Sequence, residues 1–236
     1  MDSESDLKSL VSTGQKISRP SSLADIAAGS LREMILLEKL APGRLLPERE
    51  LSEAMGISRT PLRDAMKTLA NEGLIEYSIA GRPRVADPSI NEIADYLRVQ
   101  GVLEALAGEL ACVVASDTEI TTIRRLNEEM VEFAGRDEPL DDFRRDMAFH
   151  NAIVAASHNK PLVKTHATYN ARLWRARFMS SQRLVGREST QAEHAEIVEA
   201  LTQRDAVLAR QALKKHLTTA EDNIHQALLE RQNSHS

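Results

Sequence analysis

The chain has 236 residues, of which 42% are hydrophobic, 28% are charged and 3% are aromatic, and its formal net charge is −5. This composition is typical of a soluble globular protein with one or two domains, and the net negative charge argues against a nonspecific nucleic-acid binder. With so few aromatic residues, the core must consist of Ala, Leu, Ile, Val and Met, a composition that favours helix over strand.

Cysteine usage and hydropathy predict a cytoplasmic location. Cys112 is the single cysteine, which excludes an internal disulfide framework and suits a reducing compartment. No apolar run approaches the roughly 18 residues of a membrane span, so we expect no membrane partner. The first residues, "MDSESDLKSLVSTGQ", are acidic and lack the apolar core of a signal peptide, and we interpret residues 1–20 as a flexible tail.

Residues 21–87 are predicted to form a small α+β domain. Apolar residues at helical spacing predict a first helix, which ends at "APG" (41–43), and Gly residues end two further short helices. "LIEYSIAGRPRVA" alternates apolar and polar residues around Gly81, as a β-hairpin does. The predicted helices lie in 22–40, 47–56 and 57–73, and the predicted hairpin lies in 74–86.

The stretch "ERELSEAMGISRTPLRDAMK" (48–67) has the pattern of a helix-turn-helix. Gly56 falls at the turn, where a positive φ is easy for glycine, and it joins two short helices. The apolar residues that can face inward are Leu51, Met55, Ile57, Leu62 and Ala65. In such a motif the second helix enters the major groove of DNA with its N-terminal residues at the base edges.

Positive charge is concentrated at the beginning of that second helix. Ser58 is its predicted N-cap, and Arg59 and Arg63 follow, although cations at a helix N-terminus cost a few tenths to about 1 kcal/mol each. The cost becomes a gain if phosphates and guanine edges face this end. Arg82 and Arg84 at the hairpin tip would then form a wing along the backbone or minor groove. The alternative is a solvated cationic helix face.

The longer stretch "LAPGRLLPERELSEAMGISRTPLRDAMKTLANEGLIEY" closely resembles the winged-helix domain of the GntR family of bacterial transcription regulators. The resemblance covers residues 22–87. Carried over by motif, it implies DNA contacts from Arg49, Ser58, Arg59, Thr60, Arg63 and the wing residue Gly81, next to which Arg82 lies. Ser52 is a small departure, because many helix-turn-helix proteins have Ala at this place.

From residue 88 to residue 232 the sequence predicts almost uninterrupted helix. The predicted helices lie at roughly 90–115, 118–134, 138–157, 160–182, 188–203 and 206–231. Six helices with short connections indicate an antiparallel all-α bundle. The predicted fold is therefore mainly α, with an N-terminal winged helix-turn-helix domain and a C-terminal helical bundle.

Four side chains of this half have the chemistry of metal ligands. Asp146 and His150 are four residues apart and share a helix face, and His194 and His216 lie on two later helices among apolar neighbours. A carboxylate facing a bundle interior is costly unless it shares a cation with the imidazoles. One carboxylate and three imidazoles suit Zn²⁺, Ni²⁺, Mn²⁺ or Fe²⁺. From the spacing alone, hydrogen-bonded core histidines are an equally serious alternative.

The order D-x-x-F-H, N-x-P-L, E-H-x-x-I-x-x-A-L-x-x-R-D and a distant H-L resembles the FCD ligand-binding domain, which accompanies the GntR winged helix in the FadR-like subfamily. The resemblance covers roughly residues 90–230. It implies that Asp146, His150, His194 and His216 hold a divalent metal at the bottom of a helical pocket. It also implies a small carboxylic acid effector that completes the coordination shell.

One position departs from that family pattern. The first helix of such domains often carries Arg four residues before the Glu of an "LE" pair, and Gln100 occupies that place here, with Arg98 two positions earlier. The effector carboxylate would then be anchored differently. The other candidate anchors are His166, Arg172, Arg175 and Arg177, although charged residues on long helices are usually solvated.

The sequence thus predicts a ligand-responsive transcription regulator, with repression the favoured response. It would bind a pseudo-palindromic double-stranded DNA operator as a homodimer, because one recognition helix reads too few base pairs. One alternative is an effector-independent repressor with a structural metal. The other is a metal-dependent enzyme, which the absence of a G-x-S-x-G nucleophile motif and of a phosphate-binding glycine loop disfavours.

Overall fold

A computed structural model describes residues 22–136, 138–182 and 187–234 of the chain, and the tail predicted for 1–20 lies outside them. The described elements, in chain order, are α1 (Leu23–Leu36), α2 (Glu48–Met55), α3 (Arg59–Asn71), β1 (Ile75–Tyr77), β2 (Pro83–Val85), α4 (Ile90–Val114), α5 (Asp117–Phe133), α6 (Pro139–Ala156), α7 (Lys160–Ser181), α8 (Arg187–Thr202) and α9 (Ala206–Ser234). The mainly α fold is as predicted. Within the described ranges, no helix is long and apolar enough to cross a membrane.

Local sequence signals explain where several helices begin. Three of them start with a capping box, in which a serine hydroxyl accepts a backbone N–H and the carboxylate three residues later accepts the N–H of that serine. The pairs are Ser22 with Asp25 at α1, Ser89 with Glu92 at α4 and Ser116 with Glu119 at α5. Each box satisfies amide groups that would otherwise lack partners at the helix terminus.

The N-terminal unit packs α1, α2 and α3 against the hairpin of β1 and β2. The hairpin is antiparallel, with Ile75 opposite Val85. Gly56 has φ 65° and ends α2 as predicted. The core of the unit consists of buried side chains of the helices and the hairpin, among them Leu31, Ile35, Leu62, Ala65, Met66, Leu69, Ile75 and Val85. This packing fixes the angle between α2 and α3.

Within the described ranges, the C-terminal unit is a bundle of six helices in which α4 is central. It packs against α6, α7 and α9, while α5 packs against α6 and α8. A Cβ atom at Gly108 would clash with Leu213, so glycine here permits the close approach of α4 and α9. The largest core cluster includes Ile123, Phe149, Ile153, Ile197, Leu201 and Leu213. Apolar burial of this kind is the main favourable contribution to folding.

The two units also share an apolar junction. Leu36 at the end of α1 is buried in one cluster with Phe143 of α6 and Phe178 of α7, and Trp174 packs against it. The Phe143 ring lies 5.5 Å from the rings of both Trp174 and Phe178, each in edge orientation. Residues predicted as parts of separate domains are therefore in direct contact.

Candidate nucleic-acid interface and metal centre

The N-terminus of α3 presents a row of exposed polar side chains. Ser58 is the N-cap residue, as predicted, but its hydroxyl makes no capping hydrogen bond. Arg59 and Thr60 follow and are exposed. Amide groups of the first turn and a hydroxyl are thus available at the positive end of the helix dipole, where an anion is stabilised.

Two arginines predicted to contact DNA lie in surface ion pairs. Arg63 Nε lies 2.7 Å from Glu48 Oε2, a contact between α3 and α2. Arg49 Nη1 lies 4.0 Å from Glu53 Oε1 on the same helix. Exposed pairs of this kind contribute only about 0–1 kcal/mol. Both guanidinium groups can therefore exchange a carboxylate partner for a phosphate at small cost.

The hairpin tip is a tight turn that projects from the N-terminal unit. The Gly81 N–H donates to the Ser78 carbonyl at 2.8 Å, the Ser78 N–H donates to the Arg82 carbonyl at 2.9 Å, and Gly81 has φ 71°. A residue with a Cβ would be strained at Gly81. The Arg82 side chain is exposed beside this turn, whereas Arg84 pairs with Glu76 at 2.9 Å.

Three histidine rings converge in the bundle interior. His150 of α6, His194 of α8 and His216 of α9 are all buried, and one ring nitrogen from each lies within 4.8 Å of the others. His216 Nε2 is 3.3 Å from His150 Nε2 and 3.3 Å from His194 Nε2. Two ligands held at about 2.0–2.1 Å by one metal ion would be separated by about 3.0–3.4 Å, so this spacing suits a shared cation.

Two buried carboxylates contact the Nδ1 atoms of two of these rings, on the side away from the shared Nε2 atoms. Glu104 Oε2 lies 2.7 Å from His150 Nδ1, and Glu193 Oε2 lies 3.0 Å from His216 Nδ1. Burial raises the pKa of Glu104, but His150, His166 and Arg177 outweigh burial and hold that pKa well below its usual range. Burial likewise raises the pKa of Glu193, but the hydrogen bonds from His216 and Thr219, together with the charges of His216 and Lys215, outweigh burial and lower that pKa. Both carboxylates are therefore ionised.

The ionised carboxylates decide which nitrogens carry protons. An ionised carboxylate only accepts hydrogen bonds, so the Nδ1 atoms of His150 and His216 must be the donors. Burial, followed by repulsion from neighbouring histidines, keeps the pKa of His194 well below its ordinary value, and burial also lowers the pKa of His216. With Nδ1 engaged by a carboxylate, Nε2 is the atom of each ring that can bind a cation, and the Nε2 atoms of His150 and His216 lie 3.3 Å apart.

Asp146 lies next to two of these histidines and is the fourth predicted ligand. Its Oδ1 lies 3.6 Å from His194 Nε2 and 3.8 Å from His150 Nε2, and the side chain is half-buried. The structure thus brings together the four side chains that the sequence predicted as ligands. The donor set of three imidazole nitrogens and one carboxylate oxygen matches the preference of a divalent transition metal.

A cavity of about 320 Å³ opens on these ligands. Asp146, His194 and His216 line it together with Arg177, which is itself buried. Pockets that bind small molecules usually enclose about 300–1,000 Å³, so this cavity suits a small ligand. Phe143 also lines it, and Phe143 belongs to the apolar junction with α1.

The proposed effector anchors separate into two groups. Gln100 and His166 are buried beside the ligands, and both donate to Glu104 Oε1, at 3.2 Å and 3.0 Å respectively. Neither lines the cavity. Among the described residues, Gln100 Oε1 is a buried atom without a hydrogen-bond partner. These two side chains support Glu104 and do not face the space that a ligand would fill.

The structure does not bring Arg98, Arg172 or Arg175 to the histidines. Arg98 is exposed and pairs with Asp95 and Glu221. The Arg172 guanidinium donates to the Tyr96 hydroxyl at 3.2 Å, and Arg175 Nη2 lies 3.0 Å from Glu38 Oε1. Arg175 therefore lies at the junction of the two units, because Glu38 is the second residue after the end of α1.

Sequence reasoning missed Glu104 and Glu193. A signal was present for each, since Glu104 lies four residues after Gln100 on an apolar helix face, and Glu193 directly precedes His194. Polar residues at such positions indicate a buried hydrogen-bond network.

Comparison with known proteins agrees with this architecture. Residues 23–80 match the family model described as bacterial regulatory proteins, gntR family, and residues 95–219 match that of the FCD domain. The chain is 35% identical over 201 residues to an HTH-type transcriptional regulator in an unstable DNA locus of Streptomyces ambofaciens, covering 82% of this chain and 81% of the relative. It is 29% identical to the Glc operon transcriptional activator of Escherichia coli (strain K12), covering 88% of this chain and 91% of the relative.

Two solved structures share the fold. McbR/YncC of E. coli superposes with a TM-score of 0.73 at 19% identity, over 87% of this chain and 98% of that chain. A transcriptional regulator from Rhodococcus sp. RHA1 superposes with a TM-score of 0.69 at 20% identity, over 85% of this chain and 96% of that chain. At these identities the similarity shows the arrangement of helices alone.

Proposed function

This chain belongs to the gntR family of bacterial regulatory proteins and carries an FCD domain, and from this premise we infer that a small carboxylic acid sets its affinity for DNA. Proteins of this family regulate transcription and are not enzymes. We further propose that the chain is a repressor that binds a pseudo-palindromic operator as a homodimer. A related protein, the Glc operon regulator, is an activator, so the direction of the response is part of the proposal.

The N-terminus of α3 supports DNA recognition. Ser58, Arg59 and Thr60 are exposed at the end of the helix that attracts phosphate. Arg49 and Arg63 lie in weak surface pairs beside them, and Gly81 and Arg82 form the tip of the wing. We propose that α3 enters the major groove with Arg59 and Arg63 at guanines or phosphates.

The ligand group supports a divalent metal, held by Asp146, His150, His194 and His216. When bound, such an ion supplies a positive charge that attracts a carboxylate. Besides the Arg145–Asp142 ion pair in the cavity wall, the site holds the three carboxylate side chains of Glu104, Glu193 and Asp146 against the buried Arg177 guanidinium. An anionic effector would be repelled by this group unless a divalent cation offsets it, which favours a role in effector binding over a purely structural metal.

An exposed apolar stripe on α4 supports homodimerisation. Val99, Val102, Leu106 and Val113 are spaced by three, four and seven residues and lie on one face of the helix. Their exposures are 41%, 69%, 41% and 76%. Apolar side chains repeated at heptad spacing are typical of a helix that packs against another helix. We propose that the α4 stripes of two chains meet at the twofold axis.

The junction between the units can couple a change in the cavity to the position of the DNA-binding unit. Phe143 lines the cavity and packs in the same cluster as Leu36 of α1. Arg144 pairs with Glu33 of α1, and Arg175 pairs with Glu38. An effector that displaces Phe143 would thus shift the contact with α1 and change the population of conformers able to bind both operator half-sites.

The single observation that carries the proposal is the convergence of three buried imidazole nitrogens beside a cavity, lined by His194 and His216, next to the junction with the DNA-binding unit. The test first uses the full-length protein to select a DNA sequence that it binds from a random library. DNA affinity is then measured with metal-free and Zn²⁺-loaded protein across a panel of small organic acids. A change in affinity that requires both metal and acid supports the proposal. Unchanged affinity across the panel supports the effector-independent repressor instead.

A further inference from the structure

A second cavity of about 610 Å³ lies between the two units. One wall belongs to the DNA-binding unit and includes Arg32 of α1 and Thr68 of α3, and the other wall consists mainly of α7 from Lys164 to Trp174. Within the described ranges, it shares no lining residue with the cavity beside the histidines. Small-molecule sites of this size occur preferentially at domain interfaces. We call this space the interunit cleft.

A buried amide group offers a free donor to this cleft. Asn170 lines the cleft, is 4% exposed and accepts a hydrogen bond from Arg177 Nη1 at 3.1 Å. A guanidinium has donors only, so the Asn170 atom that faces Arg177 must be Oδ1. The amide nitrogen therefore lies on the other branch of the side chain, where it makes no hydrogen bond to any described residue. It is available to a ligand that carries an acceptor.

The charged side chains of the interunit cleft favour an anion. Arg32 is engaged by Glu72, to which its Nε and Nη2 donate at 3.0 Å and 2.7 Å. Lys164 is exposed and contacts no carboxylate in the part of the chain that the structure describes. The pair of Arg32 and Glu72 is neutral, so Lys164 leaves an excess of positive charge here, in a chain whose net charge is −5. Such an excess attracts an anionic group.

Trp174 provides an aromatic surface at the other end of the α7 wall. It is partly exposed, and its indole N–H has no acceptor among the described residues. The wall between Lys164 and Trp174 includes Ala167 and Ala171, whose small side chains leave room for a ligand. Lys164 and Trp174 are ten residues apart, which corresponds to about 15 Å along a helix. A ligand that contacts both must be elongated.

We propose that the interunit cleft binds an elongated aromatic anion. Its anionic group lies at Lys164, an acceptor lies at Asn170 Nδ2 and its aromatic ring lies at Trp174. An ammonium group binds a phosphate or a carboxylate, and an indole packs against other aromatic rings. The protein itself supplies the positive charge, so binding needs no metal. The site is thus separate from the proposed metal centre, and the inference goes beyond the proposed function.

Occupancy of the interunit cleft affects DNA binding because its walls belong to different units. Arg32 and Glu72 move with the DNA-binding unit, whereas Lys164, Asn170 and Trp174 move with α7. A ligand in contact with both walls stabilises one relative position of the two units. The affinity for DNA therefore changes when the cleft is filled.

The test titrates the full-length protein with two elongated aromatic anions, adenosine 5′-monophosphate and 4-phenylbutyrate, and follows the fluorescence of Trp174, the single tryptophan of the chain. The first carries a phosphate and the second a carboxylate, so the two probes distinguish the anionic group. We expect saturable binding of at least one of them, with the same affinity before and after treatment with a chelator. Adenosine and ribose 5-phosphate, or phenylbutanol and butyrate, lack the charge or the ring and should bind at least about 10-fold more weakly.

Two variants locate the ligand. Lys164→Gln should weaken binding by about 10- to 100-fold, because it removes a charge-assisted hydrogen bond. Asn170→Asp keeps an oxygen for Arg177 but replaces the free donor with a negative charge, and it should also weaken binding. Lys160→Gln is the matched control, since Lys160 is an exposed lysine of the same helix that does not line the cleft. The melting temperature of each variant shows whether the fold survives.

The results that would overturn the site are distinct. One is the absence of saturable binding of both anions up to about 10 mM. A second is binding that disappears on chelation, which would place the ligand at the metal centre, and a third is wild-type affinity in Lys164→Gln. An affinity for the selected DNA that stays unchanged at saturating ligand would overturn the link to DNA binding. None of these results depends on whether the proposed metal and effector are present.

Discussion

The Nε2 atoms of His150 and His216 face each other at 3.3 Å, while the Nδ1 atom of each ring contacts a buried carboxylate. An ionised carboxylate takes its hydrogen bond from Nδ1, which leaves Nε2 of each ring as the atom that can bind a cation. This relationship is the physical basis for expecting a cation among these histidines.

Removing one ligand should lower metal occupancy. In His194→Ala the remaining donors are two imidazoles and Asp146, and the buried rings lose a partner that now lies 3.3 Å from His216. We expect the metal content of the purified protein to fall well below that of the wild type and the melting temperature to decrease. His158→Ala is the control, since His158 pairs with Glu119 on the surface. Full occupancy in His194→Ala would remove this histidine from the ligand set.

Changing the residue behind a ligand should weaken metal binding without abolishing it. Glu104→Gln keeps the shape of the side chain but loses the charge that orients His150 Nδ1. Substitution of such a supporting carboxylate typically costs about 10- to 100-fold in metal affinity. Competition with a fluorescent chelator measures this loss. Glu119→Gln is a matched control, because Glu119 also contacts a histidine, His158, but far from the cavity on the surface.

The N-terminus of α3 should carry DNA affinity that can be removed without unfolding. Arg59→Ala and Arg63→Ala should each weaken operator binding by about 1–3 kcal/mol if they contact bases. Arg63 loses only an exposed pair with Glu48, which contributes about 0–1 kcal/mol to stability. Fluorescence anisotropy with labelled DNA measures binding. Arg125→Ala on the exposed surface of α5 controls for loss of charge, and an equal effect there would argue against specific contacts.

A charge in the α4 stripe should dissociate the dimer. Val102 is 69% exposed in the single chain, so Val102→Glu should not disturb the monomer fold. At a twofold interface two carboxylates would be buried face to face, at a cost of several kcal/mol, which corresponds to at least about a 100-fold weaker dimer. Sedimentation equilibrium gives the mass directly. A dimer of undiminished affinity in Val102→Glu would place the interface on another surface.

The metal-free protein should lose stability in mild acid. His194 and His216 have lowered pKa values when folded, against an ordinary value of 6.5. The unfolded chain therefore takes up protons as the pH falls below about 6.5, while the folded chain does not, so the free energy of unfolding decreases. We expect a lower denaturation midpoint at pH 5.5 than at pH 7.5 after chelator treatment. The double variant His194→Leu, His216→Leu should show a smaller difference.

Much of the fold could be predicted because its signals are local. Gly56 and Gly81 mark turns that need positive φ, and Ser89 and Ser116 begin helices through contacts only three residues away. The apolar periodicity of each helix is visible in the sequence. The convergence of Asp146 and His150 follows from a separation of four residues on one helix.

The remaining features depend on packing between distant segments. Arg172, Arg175 and Arg177 lie within six residues of one another, yet two of them contact Tyr96 and the junction and one lines the cavity. Only the placement of α7 between the two units decides which side each arginine faces. Glu104 was missed for the same reason, since its partners His150 and Arg177 are 46 and 73 residues away.

The measurement that tests the central claim most directly is the metal content of the protein. It requires elemental analysis of full-length protein purified without an affinity tag and without chelator. We predict close to one equivalent of a divalent transition metal per chain, lost on chelation and recovered on addition of Zn²⁺, Ni²⁺ or Mn²⁺. A protein that contains no metal and takes up none of these ions would contradict the account, and the histidines would then be hydrogen-bonded residues of the core.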